Sequence, residues 1–124
     1  MEKKIGIITG ELKVEAELND SKTAQSIWDA LPIEGSNNLW GEEIYFSIPV
    51  KSGQEKGSRE VVSAGELGYW PPGHAFCIFF GPTPASHGDE IRAASAVNVI
   101  GKVLSDAKVF RKLKDGTKVI LEKA

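Results

Sequence analysis

The sequence predicts a mainly β chain, its short antiparallel strands curled into a closed or nearly closed barrel. Three observations carry this expectation. Strand-like apolar runs recur along the chain, separated by Gly, Pro, Asn and Ser punctuation, with few helical patterns between them. Residues 11–18 alternate cleanly, with Leu12, Val14, Ala16 and Leu18 on one face and Glu11, Lys13, Glu15 and Glu17 on the other. Eight of the chain's ten aromatic residues fall between Leu39 and Gly81, beside Gly and Pro, where large rigid rings can fill a small barrel and wall a slot at its mouth.

Taken in order, Ile5–Thr9 reads as a strand, and Gly10 marks a tight hairpin into the alternating strand that follows. Asn19-Asp20-Ser21 supplies N-cap candidates. Ala24, Ile27, Trp28 and Leu31 then recur at helical spacing, so a short amphipathic helix covers residues 21–31, ended by Pro32, with Trp28 as the wedge that seals it to the sheet. Residues 34–38 read as a polar loop and Trp40–Ile48 as a strand stopped by Pro49. The Lys-Ser-Gly-Gln-Glu-Lys-Gly-Ser stretch at 51–58 reads as a mobile loop. Further strands are expected at 60–64, 67–70 and 74–80, then a long Gly/Pro/Ser loop at 82–91. A strand at 96–104, a short helix at 106–113 and a last strand at 117–122 complete the chain.

Composition narrows the function. The 124 residues read as one domain, 1–124, long enough to bury a real core; 41% are hydrophobic and 26% charged, which is ordinary globular composition. The net charge of −2 gives no general attraction to nucleic acid or to anionic membranes, so neither is an expected partner. No apolar run is long enough to span a bilayer and no secretory leader is visible, so a cytoplasmic location is expected. Cys77 is the only cysteine, which rules out an internal disulfide, and its apolar setting points to an inert buried thiol. No P-loop, dinucleotide fingerprint or nucleophile elbow is present, and no cofactor is expected. His74 and His87, the two histidines, lack zinc-site spacing even with Asp89 and Glu90 nearby, so no metal site is expected. Lys108, Arg111, Lys112, Lys114 and Lys118 form a basic face best read as solvated.

The residues also carry a family resemblance. Val97-Asn98-Val99-Ile100-Gly101-Lys102-Val103, the helical stretch 107–113, a Lys-Asp-Gly turn and the strand Lys118-Val119-Ile120-Leu121 resemble the closing strand, helix and last strand of the cyclophilins. Trp40-Gly41-Glu42-Glu43-Ile44-Tyr45-Phe46, Gly68-Tyr69-Trp70-Pro71-Pro72-Gly73, Phe79-Phe80-Gly81 and Ala94–Gly101 resemble the small single-domain cyclophilin-like proteins of bacteria and archaea, whose function is not established. The resemblance runs from about residue 10 to the end. It implies a closed barrel of eight antiparallel strands capped by helices. It also implies a departure, since prolyl isomerases of that superfamily use an Arg, in a Phe-His-Arg stretch, to polarise the prolyl amide. The strand here reads Trp-Gly-Glu-Glu-Ile-Tyr-Phe-Ser-Ile-Pro, and an ungapped match of the Gly-Lys-Val stretches puts Arg92 and Val97 where those enzymes carry their pocket Trp and His. Arg59 or Arg92 could replace the missing guanidinium only if folding brings it to the mouth.

Glu42 stands out. Trp40, Glu42, Ile44, Phe46 and Ile48 share one parity, which in an unbroken strand turns Glu42 inward among aromatics. The alternative is that Gly41 breaks the parity, or that Glu42 forms a structural ion pair with Arg59 or Arg92. The Tyr69–Gly73 turn is either a rigid barrel corner or an aromatic wall for a ligand. The expected function is binding of a small molecule or short peptide at the mouth through Trp40, Glu42, Tyr69, Trp70, Phe79 and Arg92, the ligand having an apolar body and a hydrogen-bond-donor head. A divergent peptidyl-prolyl isomerase and a protein-interaction module are the alternatives.

Overall fold

A computed structural model describes residues 3–124. Its strands are β1 (Lys3–Thr9), β2 (Leu12–Leu18), β3 (Ile33–Ser36), β4 (Asn38–Leu39), β5 (Glu43–Ser47), β6 (Arg59–Val62), β7 (Glu66–Trp70), β8 (Ala75–Phe79), β9 (Ile91–Val103) and β10 (Lys118–Lys123). One α-helix, α1 (Lys22–Ala30), and two 3₁₀ segments, Pro71–Gly73 and Ala107–Lys112, complete it. Among the described residues no helix is long and apolar enough to cross a membrane.

The strands form one antiparallel sheet in the order β3-β10-β1-β2-β9-β7-β8-β5-β4, with β6 paired to β9 off this path. The expected mainly β antiparallel architecture is present. The expected closure is corrected: hydrogen bonding does not run continuously around the sheet. Its two end strands, β3 and β4, are instead consecutive in the chain and joined through Asn37. Residues 34–38, expected as a polar loop, thus contribute an edge strand: Ile33 pairs with Leu121 and Ser36 with Lys118. Gly35 lies against the Phe46 ring, with a Cβ at that position only 3.0 Å from it, so a larger side chain would push the two ends of the sheet apart.

The β2 alternation holds, with Val14, Ala16 and Leu18 buried. Helix α1 starts as its sequence dictates: the Ser21 side chain accepts from the Ala24 amide, and Ala24 and Ile27 face the core. Trp28 packs on the core's edge, with the Lys123 ammonium 4.8 Å above its ring.

Two apolar clusters lie on opposite faces of the strands. The larger holds Ile5, Ile7, Ile27, Ile44, Phe46, Leu67, Tyr69, Phe76, Ile78, Ile100, Phe110 and Leu121. In it Phe46 and Phe76, register partners on β5 and β8, stack with centroids 5.4 Å apart. The smaller holds Val62, Ala75, Cys77, Phe79, Ile91, Ala93 and Val97, with Tyr45, Trp70 and Val99 at its edge. Strand β8 lies between the two, which is why all five of its residues are buried and its sequence shows no alternation.

The segment expected as a mobile loop, 51–58, lacks regular structure but is tied to its surroundings. Buried Asn98 on β9 accepts from the Glu55 amide at 2.7 Å and donates to the Gly53 carbonyl at 2.9 Å and to Thr23 Oγ1 at 3.1 Å. The Glu55 carboxylate in turn accepts from the Thr23 amide at 3.1 Å and from the Thr23 hydroxyl, placing an anion at the N-terminus of α1.

Candidate functional site

Local geometry around Gly41 decides which acid meets the cavity. Gly41 has φ of 60° and Glu42 has no positive φ, the pattern of a two-residue hairpin turn with glycine in its first central position. The turn breaks the parity assumed for 40–48. Ile44, Phe46 and Ile48 face the large core as expected, but Trp40 and Glu42 do not share their face. The Trp40 amide donates to the Glu43 carbonyl at 2.9 Å, so the residues flanking the turn are cross-strand neighbours on the smaller cluster's side. Glu42 sits at the turn's tip, with Glu42 Oε2 2.5 Å from the Arg111 Nε and only 32% of its side chain exposed. Its placement inside the rim is therefore corrected, and its ion-pair partner is neither Arg59 nor Arg92.

The cavity beside the smaller cluster has a volume of about 190 Å³ and is lined by Trp40, Glu43, Tyr45, Trp70, Ala93, Ala94 and Val97. Trp40 and Trp70 stand in it as the sequence suggested. Tyr69 does not: it is fully buried in the larger core, its hydroxyl donating to the Val50 carbonyl at 2.6 Å and accepting from the Ser52 amide at 3.1 Å. Phe79 is fully buried within the smaller cluster, away from the lining. Arg92 pairs with Glu90 at 2.8 Å and Glu60 at 3.7 Å and does not line the cavity.

Two irregular features shape the walls. In the β6–β9 pairing Arg59 matches Val97 but Val61 matches Arg92, so Ala93–Ala96 have no register partner on β6 and bulge. The bulge sets small Ala93 and Ala94 at the cavity. It also brings Ser95 Oγ to accept from Trp70 Nε1 at 2.6 Å. The 3₁₀ turn then backs the indole: a Cβ on Gly73 would lie 2.8 Å from Cε3 and Cζ3 of Trp70, so only glycine lets the ring settle there. Trp70 is thus fixed on two sides.

Glu43 is the polar group of this recess. It is 5% exposed and pairs in register with Phe79. Burial pushes its carboxyl from about 4.5 up to about 7, while a hydrogen bond from the Cys77 thiol pulls it partway back. The thiol is itself raised well above its usual range, first by burial and then by the neighbouring Glu43, which leaves Cys77 protonated and inert. Among the described residues Glu43 has no cationic partner, whereas Glu34, Glu42, Glu60, Glu66 and Glu90 each have one. Parity reasoning missed Glu43 and Tyr45; the Trp-Gly-Glu-Glu signature of a tight hairpin was the signal that places them.

The family described as cyclophilin-like matches residues 3–122. The chain is also similar to a hypothetical protein of Archaeoglobus fulgidus with a known solution structure. Identity is 41%, the match covers 99% of this chain and 95% of that one, and the TM-score is 0.84. No curated protein matches.

Proposed function

Because the chain belongs to the cyclophilin-like family, a fold whose chemistry resides in local sites and not in the barrel itself, we propose that it is a binding protein. It takes an apolar group of a small molecule or short peptide into the recess formed by Trp40, Tyr45 and Trp70. The observation that supports this reading is a concave apolar site with one convergent polar group, Glu43, and walls fixed in advance by Ser95 and Gly73. Its volume, about 190 Å³, is below the roughly 300–1,000 Å³ of sites for drug-sized ligands, so it suits a head group or one side chain.

We do not assign efficient prolyl isomerisation. Electrostatic stabilisation of the rotating amide would need a guanidinium at the recess, and both candidates are engaged elsewhere, Arg59 with Glu66 at 2.9 Å and Arg92 with Glu90. Losing one preorganised group of that kind lowers turnover by about 10²–10³. A protease-coupled assay on Xaa-Pro peptides should show activity reduced to that extent or absent. Full turnover that vanishes in Arg92→Ala or Arg59→Ala would overturn this part of the reading. Binding itself is tested by a fragment screen with chemical-shift mapping: hits should perturb the Trp40 and Trp70 indole resonances, and hits confined to the recess around Glu17, Asn19 and Lys102 would overturn the site.

A further inference from the structure

We propose that the group selected by this recess is an alkylammonium ion, seated among Trp40, Tyr45 and Trp70 with the Glu43 carboxylate as its counter-ion. This deepens the preceding reading and rests on it. Three independent features point to such a cation.

The first is the set of walls. Three large aromatic side chains, from the turn before β5, from β5 and from β7, converge on a recess otherwise lined by Ala93, Ala94, Val97 and Glu43. Aromatic faces attract cations, most strongly where water is excluded, and clustered rings are a known solution for quaternary ammonium groups. The only donor on Trp70 is already held by Ser95, so its ring is left as a π surface with no N–H to offer an anion or carbonyl.

The second is the charge. Glu43 is buried among apolar groups and, among the described residues, has no cation of its own. An ionised carboxylate in that setting is costly unless paired, and an incoming cation supplies the missing partner. The same charge repels phosphate and carboxylate ligands, and a neutral apolar group gains nothing from it.

The third is the match of solvation to size. A bare ammonium is compact and strongly hydrated, and it needs several acceptors when it leaves water. The recess offers one acidic side chain. Methyl groups on nitrogen reduce that demand and present an apolar skin to apolar walls, within a volume that admits a head group but not a nucleotide.

The test uses choline and its neutral isostere 3,3-dimethylbutanol, which share shape and hydroxyl but differ in charge, titrated into the intact protein by NMR. Choline should perturb the Trp40 and Trp70 indoles and bind at least about tenfold more tightly than the isostere, as expected for a desolvated cation–aromatic site. Glu43→Gln should lower choline affinity about tenfold and leave the isostere unchanged, with its spectrum reporting that it folds. Trp40→Leu, at a half-buried position outside both cores, gives a second variant that should weaken choline selectively. A peptide carrying trimethyllysine, run in parallel, distinguishes a modified side chain from a free small molecule as the source of the head group. Equal affinity for choline and the isostere would overturn the cation while leaving the binding recess intact. The same holds if neither binds but other neutral fragments map to the recess. If no fragment of either kind maps there, the recess itself is wrong and both readings fall.

Discussion

At the scale of single residues, two adjacent glutamates have opposite environments. Glu42 is half-buried and paired with Arg111; Glu43, one residue on, is buried beside Cys77 and Phe79, with no cation among the described residues. Since folding raises the Glu43 carboxyl from about 4.5 to about 7, the folded state binds the extra proton between those values. Stability therefore falls as pH rises through that window, and the loss is complete above it. Glu43→Gln should melt with the parent near pH 4 and above it near pH 8, by up to about 3 kcal/mol. Thermal melts at both pH values check this, and identical curves at pH 8 would show that a group other than Cys77 stabilises the Glu43 carboxylate. Gly73→Ala is a second test at this scale. A methyl group 2.8 Å from the Trp70 ring must displace it, at a cost of about 1–3 kcal/mol, visible as a shifted Trp70 indole resonance and a broken bond to Ser95.

At the scale of elements, the connections carry as much information as the strands. Asn98 joins β9 to the 51–58 segment and α1, and its removal leaves the Glu55 amide and the Gly53 carbonyl without partners. Asn98→Leu should cost about 1–3 kcal/mol in denaturant melts and speed amide exchange in 51–58. Unchanged exchange there would show that the segment is held by other contacts. Polar composition alone read 51–58 as mobile, because the partners that fix it lie at residues 23 and 98, too far along the chain for local pattern to register. The same limit applied to 33–36, whose pairing with β10 depends on a strand that begins at Lys118. Periods written into one segment were legible: the β2 alternation, the α1 spacing with its Ser21 cap, and the inward set Ile44, Phe46 and Ile48. Glu42 leaves the inward face because Gly41 reverses the chain, the alternative that a glycine at 41 already offered; the Arg111 partner lies 69 residues away, beyond any local pattern.

At the scale of the whole molecule, the antiparallel architecture followed from strand rhythm and family resemblance, and the core was readable where one face is polar. Phe46 is nearly inaccessible and stacked on Phe76. Phe46→Ala should cost roughly 3–5 kcal/mol, read from the denaturant midpoint, and a loss under about 1 kcal/mol would refute its place in the large core. The second core was not readable. Phe76–Phe80 is apolar throughout, so no alternation reveals which face of β8 lies under the recess lined by Trp40, Tyr45 and Trp70.

That two-faced sheet has a consequence for how such a protein can change over generations. The rings and small residues that shape the recess come from the turn before β5 and from β5, β7 and β9, on the face opposite Phe46, Phe76 and Leu67. Substitutions at Tyr45, Ala93 or Ala94 can therefore reshape the recess while the larger hydrophobic interior goes on holding the chain together. Innovation and durability are inherited on different sides of the same strands, which lets a lineage remodel this surface without first risking collapse.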